Sequence, residues 1–494
     1  MIDGTWAVAR HELRLAWRDR AVLALGAVLT LLLVVATAVS TARHNTEAAQ
    51  RARYQQLVGE QFQSQPDRHP HRVSHYGYLI FRPRAPLGAF DSGVERFAGT
   101  SVFLEAHRQN SANFSDASQG GSGERFGELT PALVLQLFVP LFILVVAGTS
   151  VTREREAGTL ALLLSQGTPW GTVLRGKLLG SALVAAVVLV PGGAAALTWG
   201  ALGAGGPAVD VPNTTMTVRV LLLAGLHLVF WAVCAALGVL VSAHHATSRG
   251  ALATTLGLWI SLWIIVPRLV PAAAAALHPI PARVQFDAQV EARLRELGDS
   301  HDPDDPVFAR LRDETLTRYG VSRVEDLPFN YAGLVMREGE RHTSEAFQQH
   351  IGAVQASFDR QARVVEWTGI VSPYLAVRSL SMALAGADLA HVAAFERQAE
   401  SYRYALIQAL NDLHMHEVDA SRDRYETVAS GAPSRQRIDR AFFERLPTFR
   451  FTAPPLDDVL RARLVAVLAL VAFVMLALIA FGATIRRGGA HPVR

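Results

Sequence analysis

Three sets of residues in this chain have types and spacings that could do chemistry. Gly171, Gly176 and Lys177 match the G-x-x-x-x-G-K spacing of a phosphate-binding loop. Such a loop cradles phosphates with backbone N–H groups, brings its lysine to them and needs a Ser or Thr next for magnesium. Here Leu178 comes next, no buried strand precedes the loop and a long apolar run follows. The match is a decoy, and the chain carries no nucleotide site of its own. His69, His71 and His75 lie close together, and His414 and His416 flank Met415. Imidazole is a common metal ligand. The first group sits in a proline-punctuated polar stretch that reads as a solvated loop. Helical residues two apart do not share a face, which argues against a site on His414 and His416. The reading assigns no metal, with His414 and His416 as the nearest candidates.

The third set is His227 and Cys234, seven residues apart and so on one helical face, inside an apolar run. An ionisable group in such a run is a functional hypothesis by default. The chain offers no convincing second catalytic group, and no HExxH or GxSxG motif. A neutral His227 hydrogen-bonded between helices is the expectation, and an intramembrane enzyme is the least favoured function. Cys234 is the one cysteine, which excludes a disulfide framework or a cysteine zinc site. It reads as a small packing residue.

The elements that must position these residues follow from composition. Half the residues are hydrophobic, mean hydropathy is +0.22, and 18% are charged, against about 25% in an average globular chain. The apolar residues fall in long blocks rather than evenly, which is a membrane pattern. Runs free of Asp, Glu, Lys and Arg cover 21–42, 129–152, 178–209, 220–248, 250–267 and 464–485. Each reaches or nearly reaches the roughly 20 residues that cross a bilayer. The first run is longer than a signal-peptide core, and the charge pattern requires it as a retained helix. The fifth is interrupted by Arg268, which can snorkel and let the span reach about residue 272. The fold class is therefore mainly α: a polytopic membrane protein with six transmembrane helices and two large extracytoplasmic insertions.

Basic residues in short loops favour the cytoplasm. With the N-terminus inside, the amphipathic segment 1–20, the loop 153–177, the loop 243–249 and the tail 486–494 are cytoplasmic, and each carries arginine or lysine. The short outer loop 201–217 carries Asp210 and no basic residue. The spans are 21–42, 129–152, 178–200, 218–242, 250–272 and 461–485. The insertions are 43–128, read as α+β, and 273–460, read as mainly helical; each is long enough to be a domain. In the first, 43–65 continues the first span as an amphipathic helix, 76–81 has strand character, 100–107 fits either a second strand or a short helix, and 115–124 is a Gly/Ser-rich flexible loop. In the second, 284–297, 345–367 and 389–418 show helical periodicity. The apolar 370–386, too short to span, reads as a buried or interfacial helix.

The most informative loop is 153–177. Its charges come first, then an apolar run, a Gly-Thr-Pro break and a second amphipathic piece. Glu156, Gly158, Thr159, Leu160, Leu163, Leu164 and Ser165 match E-x-G-T-L-x-x-L-L-S. This resembles the first cytoplasmic loop of ABC-2-type transporter permeases, where the pattern forms an amphipathic helix contacting the ATPase subunit. Lys177, the only lysine among 47 basic residues, opens the third span in keeping with that pattern. Segments 103–110 and 372–391 look like a bacterial subgroup carrying the domain of unknown function numbered 3526, with large outer insertions after the first and fifth spans. Polysaccharide and drug exporters of the family have small outer loops, so their substrates do not carry over.

The resemblance implies a bacterial inner-membrane permease subunit with cytoplasmic termini and periplasmic insertions. A separate ABC ATPase would bind ATP and Mg, leaving this chain without a cofactor. Further partners would be a second permease, as homodimer or sibling heterodimer, membrane lipid, and a periplasmic protein, but not nucleic acid. Glu154, Arg155, Glu156 and Arg175 are the residues expected at the ATPase contact, with Gly158 and Thr159 shaping its helix. The expected function is ATP-coupled export or envelope remodelling; an ATPase-regulated scaffold without transport is the alternative.

Overall fold

A computed structural model describes residues 2–115, 118, 128–203, 212–420, 441, 446 and 448–490. Most of the 115–124 loop lies outside them. The chain is mainly helical. Among the described residues five helices are long and apolar enough to cross a membrane: Arg20–Gln63, Pro131–Glu156, Asn213–His244, Ser248–Leu277 and Leu464–Gly488. The run expected to be the third span is the helix Trp170–Gly203, whose far end adjoins residues outside the described set. The helix Asn213–His244 takes up residues 213–217, which the sequence reading leaves in a loop.

The second and fourth spans are central. Val134, Leu135, Phe142 and Ile143 pack against Leu223, Phe230, Trp231 and Cys234, with Leu29 and Leu33 of the first span and Trp263 of the fifth. Cys234 is thus a packing residue. The first, fifth and sixth spans leave apolar side chains such as Leu31, Val34, Leu269, Leu468 and Ile479 uncovered. That surface suits a lipid solvent, where helices satisfy their own backbone groups and need not hide apolar side chains.

Two prolines explain two irregularities within these spans. Pro140 and Pro267 have no N–H to donate. The turns before them relax into π-helix, Val134–Phe138 and Ile260–Ile265, and carbonyls one turn back are left without a helical donor. Side chains of other elements fill the gap. Trp231 Nε1 donates to the Leu135 carbonyl (3.0 Å) and Trp263 Nε1 to the Gln136 carbonyl (3.0 Å). Trp259 Nε1 donates to the Leu137 carbonyl (3.2 Å), and Ser372 Oγ to the Leu262 carbonyl (2.6 Å). The indoles therefore clip the fourth and fifth spans to the second.

On the side bearing the insertions, the first-span helix runs on to Gln63, as the periodicity predicts. Strands β1 (Tyr78–Phe81) and β2 (Ser101–Leu104) pair antiparallel, Tyr78 opposite Leu104 and Phe81 opposite Ser101. Gln55 on the long helix accepts from the Phe81 N–H (2.8 Å) and donates to the Tyr78 hydroxyl (2.9 Å). Residues 70–76 are a helix and not a loop: Pro70 sits at its first position, where a missing N–H is harmless, and the His69 side chain accepts from the His71 N–H.

The second insertion supplies the helices Arg283–Glu296, Ala309–Tyr319, Tyr331–Thr368, Pro373–Ala385 and Leu389–Glu417. The two insertions share their cores. Phe62, Val73 and Ala106 pack with Leu406, Ile407 and Leu410, and Ile80, Val102 and Leu104 with Phe395 and Ala399. The apolar segment around residue 380 is a buried helix, seated on the fourth and sixth spans. Arg219 Nη1 donates to the carbonyls of Leu384 (2.8 Å) and Ala383 (3.3 Å). A cation there satisfies free carbonyls at the negative end of that helix.

Candidate functional site

At the opposite end of the bundle, four charges from three elements converge. The N-terminal helix Ile2–Arg18 lies along the helix Trp170–Gly203. Glycine permits this approach: a Cβ on Gly176 would stand 2.4 Å from Val8 Cβ, and one on Gly180 2.5 Å from Glu12 Cβ. Close packing puts Glu12 beside Lys177, with Oε1 2.6 Å from Nζ. Glu154, at the end of the second span, contacts the same ammonium, and Arg153 Nη2 lies 3.3 Å from the other Glu12 oxygen. Lys177 is fully buried (0% exposed), and Glu12 and Glu154 are nearly so. The residues that mimic a phosphate loop are therefore structural: Gly171 makes room for Ile485, Gly176 for Val8, and Lys177 joins two carboxylates.

The piece carrying Glu154 is separately held. The second span breaks at Thr149 and resumes as Ser150–Glu156. The N–H groups of Val151 and Thr152 donate to Ser242 Oγ of the fourth span at 3.0 and 3.1 Å. Arg155 donates to the carbonyls of Ala243 (3.1 Å) and His245. Glu156 accepts from the Ser248 N–H (2.9 Å) and hydroxyl (2.6 Å) at the start of the fifth span.

The chain then reverses through Gly158, whose φ of +74° favours a residue without Cβ. The helix Thr159–Ser165 follows, with Thr159 Oγ1 donating to the Glu154 carbonyl (3.2 Å). Leu160 and Leu164 meet Val151, Leu174, Val239 and Phe481. That inward face leaves Leu162 58% exposed. Arg175 is exposed on the neighbouring helix.

Of the six residues named from sequence at this loop, Glu154, Arg155 and Glu156 tie into the bundle, Gly158 and Thr159 shape the turn, and Arg175 faces out. Glu12 went unnoticed; its one signal is a carboxylate amid the arginines of the first segment. His227 is buried between spans. Its Nδ1 donates to the Leu223 carbonyl (2.8 Å), which leaves Nε2 to accept from Gln136 Nε2 (3.4 Å). Nδ1 is thus used within its own helix, and Nε2 joins the fourth span to the second. His414 is buried, its ring edge-on to His69 at 4.6 Å, whereas His416 is exposed; the two do not converge.

Residues 6–303 match the family model described as ABC-2 family transporter protein, more than half of the chain. The chain belongs to the ABC-2 transporter family. Residues 283–452 match a second model, a domain of unknown function, DUF3526, so this permease carries both regions in one chain. The DUF3526 match begins just after the fifth span and covers most of the helical insertion. A search of the curated proteins finds no match. The ABC-2 permease is a membrane protein, and permeases of this family in general work with an ABC ATPase.

Proposed function

We propose that this permease transmits ATP-driven movements of a separate ATPase subunit from the loop 153–177 to its spans and outer insertions. The supporting observation is the two-sided construction of the short helix Thr159–Ser165. One side is seated on the bundle through Leu160 and Leu164, and the turn before it is fastened to the third, fourth and fifth spans through Glu154, Arg155 and Glu156. The other side, with Leu162 and Ser165, is uncovered. A partner pressing on that side would move four helices together. Leu162 and Arg175 would touch the ATPase on the cytoplasmic face, and Glu154, Arg155 and Glu156 would relay its motion. The insertions would then lie in the periplasm and engage cargo or an envelope partner, with a second permease completing the usual pair.

The test is co-purification of an ABC ATPase with the permease from its native membrane, followed by ATP turnover of the complex in lipid. Leu162→Glu should abolish association while the permease elutes unchanged, because the side chain supports no packing. Glu156→Arg should retain association and lower turnover. Undiminished association and turnover in Leu162→Glu would remove this helix as the contact.

A further inference from the structure

We propose that His71, His75, His107 and His301 form a binding site for one divalent transition-metal cation of the zinc class, joining the two insertions on the side remote from the 153–177 loop. Four elements of geometry carry this. First, one ring nitrogen from each histidine lies within 4.8 Å of the others. His75 Nε2 is 3.1 Å from His71 Nε2 and 3.4 Å from His301 Nε2. Nitrogens at 2.0–2.1 Å around tetrahedral zinc are about 3.3 Å apart, so two edges of the tetrahedron are already set.

Second, the residues arrive from three places. His71 and His75 are four apart on the helix Pro70–Tyr76 and so share a face. His107 follows β2 in a left-handed conformation, φ +57°, which a residue with a side chain adopts at a cost. His301 comes from the turn after Arg283–Glu296, 226 residues from His75 in sequence.

Third, two histidines have their other nitrogen against a carboxylate, the arrangement that orients metal-bound imidazole. His301 Nδ1 is 2.9 Å from Asp299 Oδ1. His107 Nδ1 is 3.4 Å from Glu340 Oε2, and the His107 N–H donates to that oxygen at 2.8 Å. Glu340 is itself fixed by the buried Arg403, 2.6 Å away.

Fourth, the cluster does not satisfy itself. With Nδ1 donating to Asp299, a neutral His301 has only a lone pair on Nε2. His107 Nε2 is buried and has no hydrogen-bond partner. The single proton available on His75 Nε2 cannot be given to both His71 and His301. One cation accepts all four lone pairs. An all-imidazole set suits zinc and its neighbours, not magnesium or calcium, which take oxygen.

The test uses full-length protein in micelles, free of any histidine tag and stripped with chelator. Cobalt(II) titration should give one ion per chain with the intense visible absorption of tetrahedral cobalt, displaced by zinc and not by magnesium. His75→Ala and His301→Ala should each weaken binding at least about 100-fold, and Asp299→Asn by the ~10–100-fold of an outer-shell partner. Should these variants aggregate, histidine modification of the wild-type protein by diethylpyrocarbonate gives the answer. Zinc should protect these four residues. Absence of cobalt and zinc binding, binding unchanged in folded His75→Ala/His301→Ala, or no protection at the four positions overturns the proposal.

Discussion

Replacing Lys177 by methionine isolates the charge at the bundle's loop end. The substitution keeps most of the aliphatic stem and removes the ammonium. Glu12 and Glu154 then face each other, nearly excluded from water, with Arg153 as the remaining cation within reach. Arg153 is 41% exposed on its side chain and 3.3 Å from Glu12, and a pair of that kind contributes about 0–1 kcal/mol. Removing one partner of a buried pair costs about 3–5 kcal/mol, because the stranded charge has lost its solvent. Two carboxylates share this ammonium, so the upper part of that range applies. Neutralising them as well, in Lys177→Met/Glu12→Gln/Glu154→Gln, leaves no buried charge and should recover most of the loss. Lys177→Arg should not be silent: the forked guanidinium needs more room than a compact ammonium, and Gly176 and Gly180 already hold the N-terminal helix in contact. The assay is resistance to denaturation in mixed micelles, read by tryptophan fluorescence, alongside ATP turnover with the partner. If the triple variant is as unstable as Lys177→Met, or Lys177→Met is as stable as wild type, the buried network is not what fastens these helices.

Two further outcomes follow from the geometry. Trp263→Phe and Ser372→Ala each strand a buried carbonyl freed by a proline, at a cost of about 1–3 kcal/mol; the same denaturation assay should show both losses, and equal stability would mean that water replaces the donors. Asp388 is buried, which alone would raise its pKa, but the His391 hydrogen bond and the Arg463 guanidinium, 2.6 Å away, hold it well below the carboxylate range. A depressed acid contributes stability fully above its unfolded value of about 3.9, and that contribution is lost as pH falls through the lower folded value. Melting temperature should therefore hold steady down to about pH 4 and fall below it in wild type, with a shallower acid limb in Asp388→Asn; superimposable limbs would exclude Asp388 as the source.

The sequence by itself determined what depends on local composition. Long uncharged runs can only be buried or lipid-facing helices, so the long apolar helices were legible, as were the strand at Tyr78–Phe81 and the loop pattern from Glu156 to Ser165, whereas 100–107 fitted a strand or a short helix equally until Ser101–Leu104 paired with Tyr78–Phe81. The reading of 69–76 as a loop failed because Pro70 and the histidines look like breakers, whereas proline at a first helical position starts a helix. Tertiary structure decided everything that depends on a partner distant in the chain. Lys177 looked like a phosphate-loop lysine until Glu12 and Glu154 reached it, and the glycines beside it serve a helix that precedes them by more than 160 residues. His71 and His75 gained meaning only when His107 and His301 arrived from other elements. A side chain's charge and donor count are written in the sequence, but which group answers them is set by packing.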